Sequence, residues 1–167
     1  MADYVKHLRQ VVGHGELLQL PSVAVALRDD DGRVLLARHV ETGRWGLPGG
    51  GVEPGETPAD AAVREFWEET GVFVRLTRLI GVFGSDDHIV HYRNGDRTSY
   101  VAATFEATAV SGRLRADPSE LLEVRFVREA EISSLEIAPW MPEILTSLFR
   151  GGPLFRPATW KPSDAAR

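Results

Sequence analysis

The sequence predicts an α/β fold in which helices cover the faces of a mixed β-sheet. Runs rich in β-branched and aromatic residues occur before, between and after segments with helical periodicity. Turn signals at Asp31-Gly32 and Asn94-Gly95 interrupt such runs and predict hairpins. With 167 residues, 43% of them apolar, and without a repeat or a long linker, the chain suits one domain. We therefore expect a single domain over residues 1–167.

The chain begins with a predicted helix and a predicted hairpin. Apolar residues at helical spacing in "YVKHLRQVVG" predict a short helix over residues 3–12. The segment "SVAVALRDDDGRVLLARHV" contains two apolar runs around a polar turn that includes a glycine. This pattern predicts a β-hairpin from about Ser22 to Arg38.

The helix with the clearest boundaries follows the glycine- and proline-rich loop "GRWGLPGGGVEPGE". Thr57 suits the N-cap and Pro58 the first helical position, while Gly71 suits the stop. A period of 3.6 residues predicts one apolar arc for the core, made of Ala59, Ala62, Val63, Phe66 and Trp67.

Three strand-like runs and another helix follow. The runs "VFVRLTRLIGVFG", "TSYVAATFEATAV" and "LLEVRFV" have the composition of strands, and "YRNGDR" predicts a turn between the first two. The segment "MPEILTSLFRGG" predicts a helix that ends on glycines. Residues 151–167 contain several prolines and predict an irregular tail, in which Trp160 is the candidate anchor.

Composition excludes several classes of protein. A formal charge of −5, with no run of Lys or Arg, argues against binding to a nucleic acid polymer. There is no run of 18 apolar residues, and the N-terminus lacks the apolar core of a signal peptide. We therefore expect a soluble, cytoplasmic protein without a membrane partner. The absence of cysteine excludes disulfides, zinc sites with Cys ligands and thiol catalysis.

The segment "REFWEETG" places Glu65, Glu68 and Glu69 on one face of the best-marked helix, beside its apolar arc. Repulsion within the 65/69 pair costs about 0.2–0.5 kcal/mol in water, and more where the face is buried. Arg64 or a bound cation would offset it. Hard cations such as Mg²⁺ take carboxylate and carbonyl oxygens and usually accompany substrate phosphates. Taken alone, a solvated helix surface also explains such a charge run.

These residues complete a known pattern, and the chain resembles the Nudix hydrolases. Their signature is Gly, five residues, Glu, seven residues, then Arg-Glu-apolar-any-Glu-Glu-any-Gly-apolar. It is matched without departure by Gly50, Glu56, Arg64, Glu65, Phe66, Glu68, Glu69, Gly71 and Val72. The loop and helix of the signature thus cover residues 50–72, and the wider resemblance extends from about Ser22 to Phe149.

The resemblance implies an α/β/α sandwich and a metal-dependent hydrolysis of pyrophosphate. It assigns the metal, Mg²⁺ or Mn²⁺, to Glu65, Glu68, Glu69 and the carbonyl of Gly49. Arg64 would orient its glutamate neighbours, while Glu56 would support the helix or the metal, and Gly50 and Gly71 would shape the motif. The general base is a signature glutamate or one from a later loop, where the candidates are Glu120 and Glu123, and we favour Glu120.

The same resemblance implies a small nucleotide substrate, in which a nucleoside diphosphate is linked to another group. The alternative is a catalytically silent module of the same fold that senses a nucleotide. Trp45, Arg93 and Arg97 are candidate substrate-binding residues, although Trp45 also suits the core and the two arginines also suit an exposed hairpin tip. A homodimer is compatible with the sequence, which does not specify the oligomeric state.

Overall fold

The computed structural model describes residues 3–151 and 158–159 of the chain. In this part of the chain the helices are α1 Asp3–Val12, α2 Pro58–Thr70, α3 Glu129–Ile132 and α4 Met141–Arg150, with a 3₁₀ turn at Asp86–His88. The strands are β1 Leu17–Leu27, β2 Val34–His39, β3 Trp45–Gly46, β4 Val72–Phe83, β5 Ile89–His91, β6 Arg97–Gly112 and β7 Leu121–Val127. No helix among these residues is long and apolar enough to cross a membrane. Most of the predicted tail, including Trp160, lies outside the described residues.

The larger sheet is mixed. Its strand β1 lies parallel to β6, whereas β4 and β5 pair with β6 in the antiparallel direction. A second, antiparallel sheet has the order β3-β2-β7. The predicted α/β class with a mixed sheet is confirmed, while the division of the strands into two sheets was not predicted.

The hairpin predicted over residues 22–38 is wrong in its strand pairing. A turn does lie at its centre, closed by a hydrogen bond from the Gly32 amide. The flanking strands then enter different sheets, and an isolated bridge joins Arg28 to Val34. Strand β1 pairs with β6 along its whole length, and residues 48–51 occupy its other edge. Because both edges of β1 are occupied, β2 pairs with β3 and β7 instead.

Alternate side chains of β1 enter two apolar clusters on opposite faces of the sheet. Val23 and Val25 pack with Phe66 of α2. Ala26, which points the other way, packs with Ile144 of α4. Helix α2 therefore covers one face and α4 the other, and this arrangement gives the three layers that the resemblance implied.

The apolar arc predicted for α2 is partly wrong. Ala62 and Phe66 are fully buried, as expected, but Ala59 is exposed and Trp67 is 51% exposed. Two of the three glutamates take their place on the buried face. A periodicity that counts only apolar side chains misplaces the centre of a buried face when carboxylates belong to it.

Candidate active site

The glycine-rich loop runs along the edge of β1 that faces away from β6. The Val25 amide donates to the Pro48 carbonyl at 2.9 Å. In the same way the Val23 amide donates to the Gly50 carbonyl. Gly49 has a φ of +152°, and a Cβ built on it would overlap the Val23 carbonyl oxygen. Any other residue at this position would push the loop away from the strand.

Both ends of α2 are set by its own sequence. The Thr57 hydroxyl accepts a hydrogen bond from the Asp60 amide at 3.2 Å, and Pro58 occupies the first helical position. Gly71 adopts a left-handed φ of 70°, and its amide donates to the Trp67 carbonyl at 2.8 Å. These caps fix the length of the helix and therefore the turns that carry the glutamates.

The three glutamates differ in exposure. Glu69 is 3% exposed and Glu65 is 9% exposed, whereas the side chain of Glu68 is 49% exposed. Burial is the main cause that raises the pKa of Glu65 and of Glu69 above the ordinary value, and neighbouring carboxylates add to it. A solvated helix surface therefore describes Glu68 but not the other two.

Arg64 connects the carboxylates. Its Nε and Nη2 donate to the two oxygens of Glu56 at 2.8 and 2.9 Å. Its Nη1 donates to Glu65 at 2.7 Å and to Glu68 at 3.2 Å, and Nη2 also donates to the Gly51 carbonyl at 3.1 Å. These bonds lower the pKa of Glu56 and raise that of Arg64. The planar guanidinium thus fixes the positions of α2, the glycine-rich loop and Glu56 relative to one another.

Two loop glycines meet the glutamates directly. The Gly49 amide donates to Oε2 of Glu69 at 2.8 Å. A Cβ built on Gly50 would overlap the carboxylate of Glu65. Gly50 therefore leaves the space that this carboxylate occupies, which gives the signature glycine a steric reason.

Glu120 approaches the site from the loop before β7. In this loop the Asp117 amide donates to the backbone carbonyl of Glu69 at 2.9 Å, which ties the loop to the end of α2. The charge of Glu120 is among the causes that raise the pKa of both buried glutamates. Glu123, the alternative base, instead pairs with arginines of β2 and β7. The arrangement therefore favours Glu120 over Glu123 as the later carboxylate.

A family model described as the NUDIX domain matches residues 18–148. The chain belongs to the Nudix family. A MutT-like protein of Streptomyces ambofaciens is 35% identical over 135 residues, which cover 81% of this chain and 80% of that protein. Helix α1 lies outside the matched residues. The resemblance inferred from the signature is thereby confirmed.

Other Nudix proteins agree with this assignment. An RNA pyrophosphohydrolase of Psychrobacter sp. (strain PRwf-1) is 39% identical over 72 residues, or 43% of this chain and 40% of the relative. The crystal structure of a MutT protein from Methanosarcina mazei Go1 superposes with a TM-score of 0.67 at 24% identity, covering 81% of this chain and 96% of the other. At that identity the superposition supports the fold alone.

The three candidate substrate-binding residues do not lie together. Trp45 is 6% exposed in the core, and an arginine of β7 covers its ring. Arg97 is exposed and donates to the Gly15 carbonyl, next to α1. Arg93 is exposed at the hairpin tip and donates to the Val40 carbonyl at 3.2 Å. Arg93 is therefore connected to the Glu120 loop, since the Val40 amide donates to the Glu120 carbonyl.

The carboxylate oxygens of α2 suit a divalent cation, although they are not arranged as a complete metal site. Within residues 3–151 and 158–159, no group of three acidic or histidine side chains is arranged to hold a metal. Arg64 holds Glu65 and Glu68, while Gly49 holds Glu69. All three carboxylates are hard oxygen donors, and two are buried with raised pKa values. Glu65, Glu68 and Glu69 are the side chains that would hold such a cation.

His39 and Tyr100 were not predicted from the sequence. Tyr100 lies on β6 with its phenol oxygen 2.5 Å from that of Tyr92, and its pKa is raised by burial and, to a smaller extent, by the charge of Glu65. His39 ends β2 and forms a hydrogen bond with the Leu47 backbone. No local motif marks either residue, because strand pairing alone brings them near the signature.

Proposed function

We propose that this Nudix domain is a divalent-metal-dependent pyrophosphohydrolase that cleaves a nucleoside diphosphate linked to another group. The observation that carries the proposal is the pair of buried glutamates, Glu65 and Glu69, which lie against a glycine loop with raised pKa values. Buried carboxylates of this kind are typical of functional sites, because a bound cation would supply the missing charge. Membership in a family that includes pyrophosphohydrolases supports the same reaction.

In this proposal Glu65, Glu68, Glu69 and the carbonyl of Gly49 hold Mg²⁺ or Mn²⁺. When bound, such a cation neutralises phosphate charge and lowers the pKa of a coordinated water. The protein supplies the remaining functions. Arg64 orients two of the carboxylates through the contacts described above.

Two further roles follow from the geometry. Gly49 and Gly50 hold the loop close to β1 and to the Glu65 carboxylate, since a Cβ at either position would overlap them. Glu120, at the edge of the site, accepts a proton from the attacking water. The carboxylate of Glu120 suits this role because it lies close enough to affect the pKa of both buried glutamates.

The proposed substrate is a small nucleotide such as a nucleotide sugar, ADP-ribose, a dinucleoside polyphosphate or an oxidised nucleoside triphosphate. The chain carries a net charge of −5, which disfavours long-range attraction to a nucleic acid polymer. The RNA pyrophosphohydrolase relative nevertheless makes a 5′-triphosphorylated oligonucleotide a useful member of the assay panel.

A substrate panel tests the proposal. The protein is incubated with each compound and Mg²⁺ or Mn²⁺, and the products are identified. We expect turnover of at least one pyrophosphate compound, its loss in a chelator, and its recovery when the metal is restored. Glu68→Gln and Glu69→Gln should each reduce turnover by about 100-fold or more.

The control is Glu129→Gln, which removes an exposed carboxylate on α3 and should leave turnover unchanged. Turnover that survives both signature substitutions would exclude this site as the source of the activity. Tight binding of a nucleotide without hydrolysis, at any metal concentration, would instead identify the sensing module.

A further inference from the structure

His39 lies at an irregularity between β2 and β7. The register pairs Arg38 with Glu123 and then His39 with Leu121, so that Leu122 is passed over. Such a bulge changes the direction of the neighbouring side chains and often occurs next to an active site. Leu122 is accordingly 51% exposed, while Leu121 is buried.

The backbone around His39 is joined to the Glu120 loop. His39 is the strand partner of Leu121, and the next amide, that of Val40, donates to the Glu120 carbonyl at 2.9 Å. The residue before the bulge, Arg38, forms an ion pair with Glu123. The main chain at residues 39–40 thus fixes the position of the residue proposed as proton acceptor.

The imidazole of His39 lies against the glycine loop. A Cβ built on Gly46 would lie 3.4 Å from Nε2 of the ring. Burial lowers the pKa of His39, while the hydrogen bond to the Leu47 backbone and the charge of Glu120 oppose that shift. A hydrogen bond from the ring N–H to a carbonyl is expected to raise the pKa of a histidine. The ring therefore anchors the residue that precedes Pro48.

The anchored segment leads directly to the carboxylates. After Leu47, the Pro48 carbonyl accepts from Val25, and the Gly49 amide donates to Glu69 at 2.8 Å. A shift of the chain at Leu47 would be transmitted to Gly49 within two residues. The hydrogen bond that holds Glu69 would shift with it.

We infer that His39 is a positioning residue that sets the separation between the Glu120 loop and the glycine loop, through its backbone on one side and its ring on the other. The inference rests on the proposed function, because Glu120 acts there as the proton acceptor. The ring is the part of this connection that a substitution can remove, since the backbone bonds of residues 39 and 40 do not depend on it.

A double-mutant cycle tests this inference. His39→Ala, Glu120→Gln and the double variant are assayed with a pyrophosphate substrate and Mg²⁺. We expect His39→Ala to lower kcat by about tenfold with little change in KM, as is typical when a supporting contact of a site is lost. In the Glu120→Gln background the same substitution should have a much smaller effect, because the separation between the glycine loop and the Glu120 carboxylate no longer matters once that carboxylate is lost.

Two further variants separate positioning from folding. His39→Asn keeps a side-chain N–H that can donate to Leu47 and should recover part of the lost activity. His7→Ala removes an exposed histidine of α1 and should leave kcat unchanged. A loss of kcat by the same factor with and without Glu120 would overturn the inference, because it would show that the ring has a purely structural role.

Hydrogen exchange provides a readout that does not depend on activity. In His39→Ala, the amide of Gly49 should exchange faster than in the unsubstituted protein, whereas the amide of Val40, whose bond does not depend on the ring, should keep its rate. His7→Ala should leave both amides unchanged. If no compound of the panel is hydrolysed, the proposed function fails and the exchange rates alone decide the positioning role. An unchanged rate at the Gly49 amide would overturn it.

Discussion

Within the part of the chain that the structure describes, two regions bury carboxylates, and the surroundings of these carboxylates differ. At the signature, Glu69 is 3% exposed and accepts a hydrogen bond from the Gly49 amide. Between α1 and the β5–β6 hairpin, Asp96 is 2% exposed and contacts Asn94 and His14, each at 2.9 Å, and Arg9 at 3.5 Å.

The pKa directions follow this difference. Burial raises the pKa of Glu69, and nearby carboxylates raise it further. Burial also acts to raise the pKa of Asp96, but the hydrogen bonds from His14 and Asn94 and the charge of Arg9 outweigh it and lower that pKa. A buried carboxylate is therefore not by itself a sign of function, whereas one whose pKa is raised because no neighbouring charge compensates it is typical of functional sites.

The largest effect should come from removing the compensation at Asp96. Arg9→Met removes the buried cation beside Asp96 and the donors to the Glu16 and Arg97 carbonyls, so the free energy of unfolding should fall by about 3 kcal/mol. Urea denaturation measures this change. Arg75→Met, on the exposed side of β4, is the matched control and should have little effect. Equal stability of the two variants would show that the Asp96 cluster is not compensated by Arg9.

A smaller loss is expected at the signature when Arg64 is replaced by Lys. The ammonium cannot reproduce the two-point contact with Glu56 together with the bond to Glu65, so unfolding should become easier by about 1.5 kcal/mol. Thermal and urea melts measure it. Arg44→Lys, which affects one exposed pair with Glu136, is the control. A Lys variant as stable as the parent would mean that the guanidinium fork contributes nothing at this site.

The two regions should also differ in the sign of their pH dependence. Above pH 4.5 the unfolded chain releases the Glu69 proton while the folded protein retains it, so stability should fall as pH rises towards the raised pKa. Asp96 has a lowered pKa, so its contribution should be lost as pH falls below 3.8. Unfolding free energies measured in a chelator across pH 3–7 test this, with Glu69→Gln and Asp96→Asn as the variants. Glu69→Gln should remove only the fall in stability above pH 4.5, and Asp96→Asn should remove only the fall below pH 3.8. The reverse pattern would contradict the proposed difference between the two regions.

The same two regions show what the sequence could predict. The ends of α2 and the three glutamates were predicted because caps and signature act within a few residues. The pairing of β1 with β2 was predicted wrongly, since β6 and residues 48–51 occupy the edges of β1 from distant parts of the chain. The cluster around Asp96 was missed for the same reason.

The candidate site was predicted in its chemistry more than in its geometry. The residue types of the signature indicated metal and pyrophosphate, but not that Arg64 holds Glu65 and Glu68 in the described conformation. The burial of Glu65 and Glu69 exceeded the expectation, because the apolar arc of α2 was centred too far from them. His39 carries no local signal, since its importance depends on a bulge between strands that are far apart in sequence.

The most direct test of the account is Glu69→Gln, measured with and without metal. The amide keeps an acceptor for the Gly49 N–H and removes the uncompensated charge, so in a chelator the free energy of unfolding should rise by about 1 kcal/mol. With Mg²⁺ and substrate, turnover should fall by about 100-fold. A loss of stability in the chelator would contradict the central claim that this carboxylate is buried for a cation rather than for the fold.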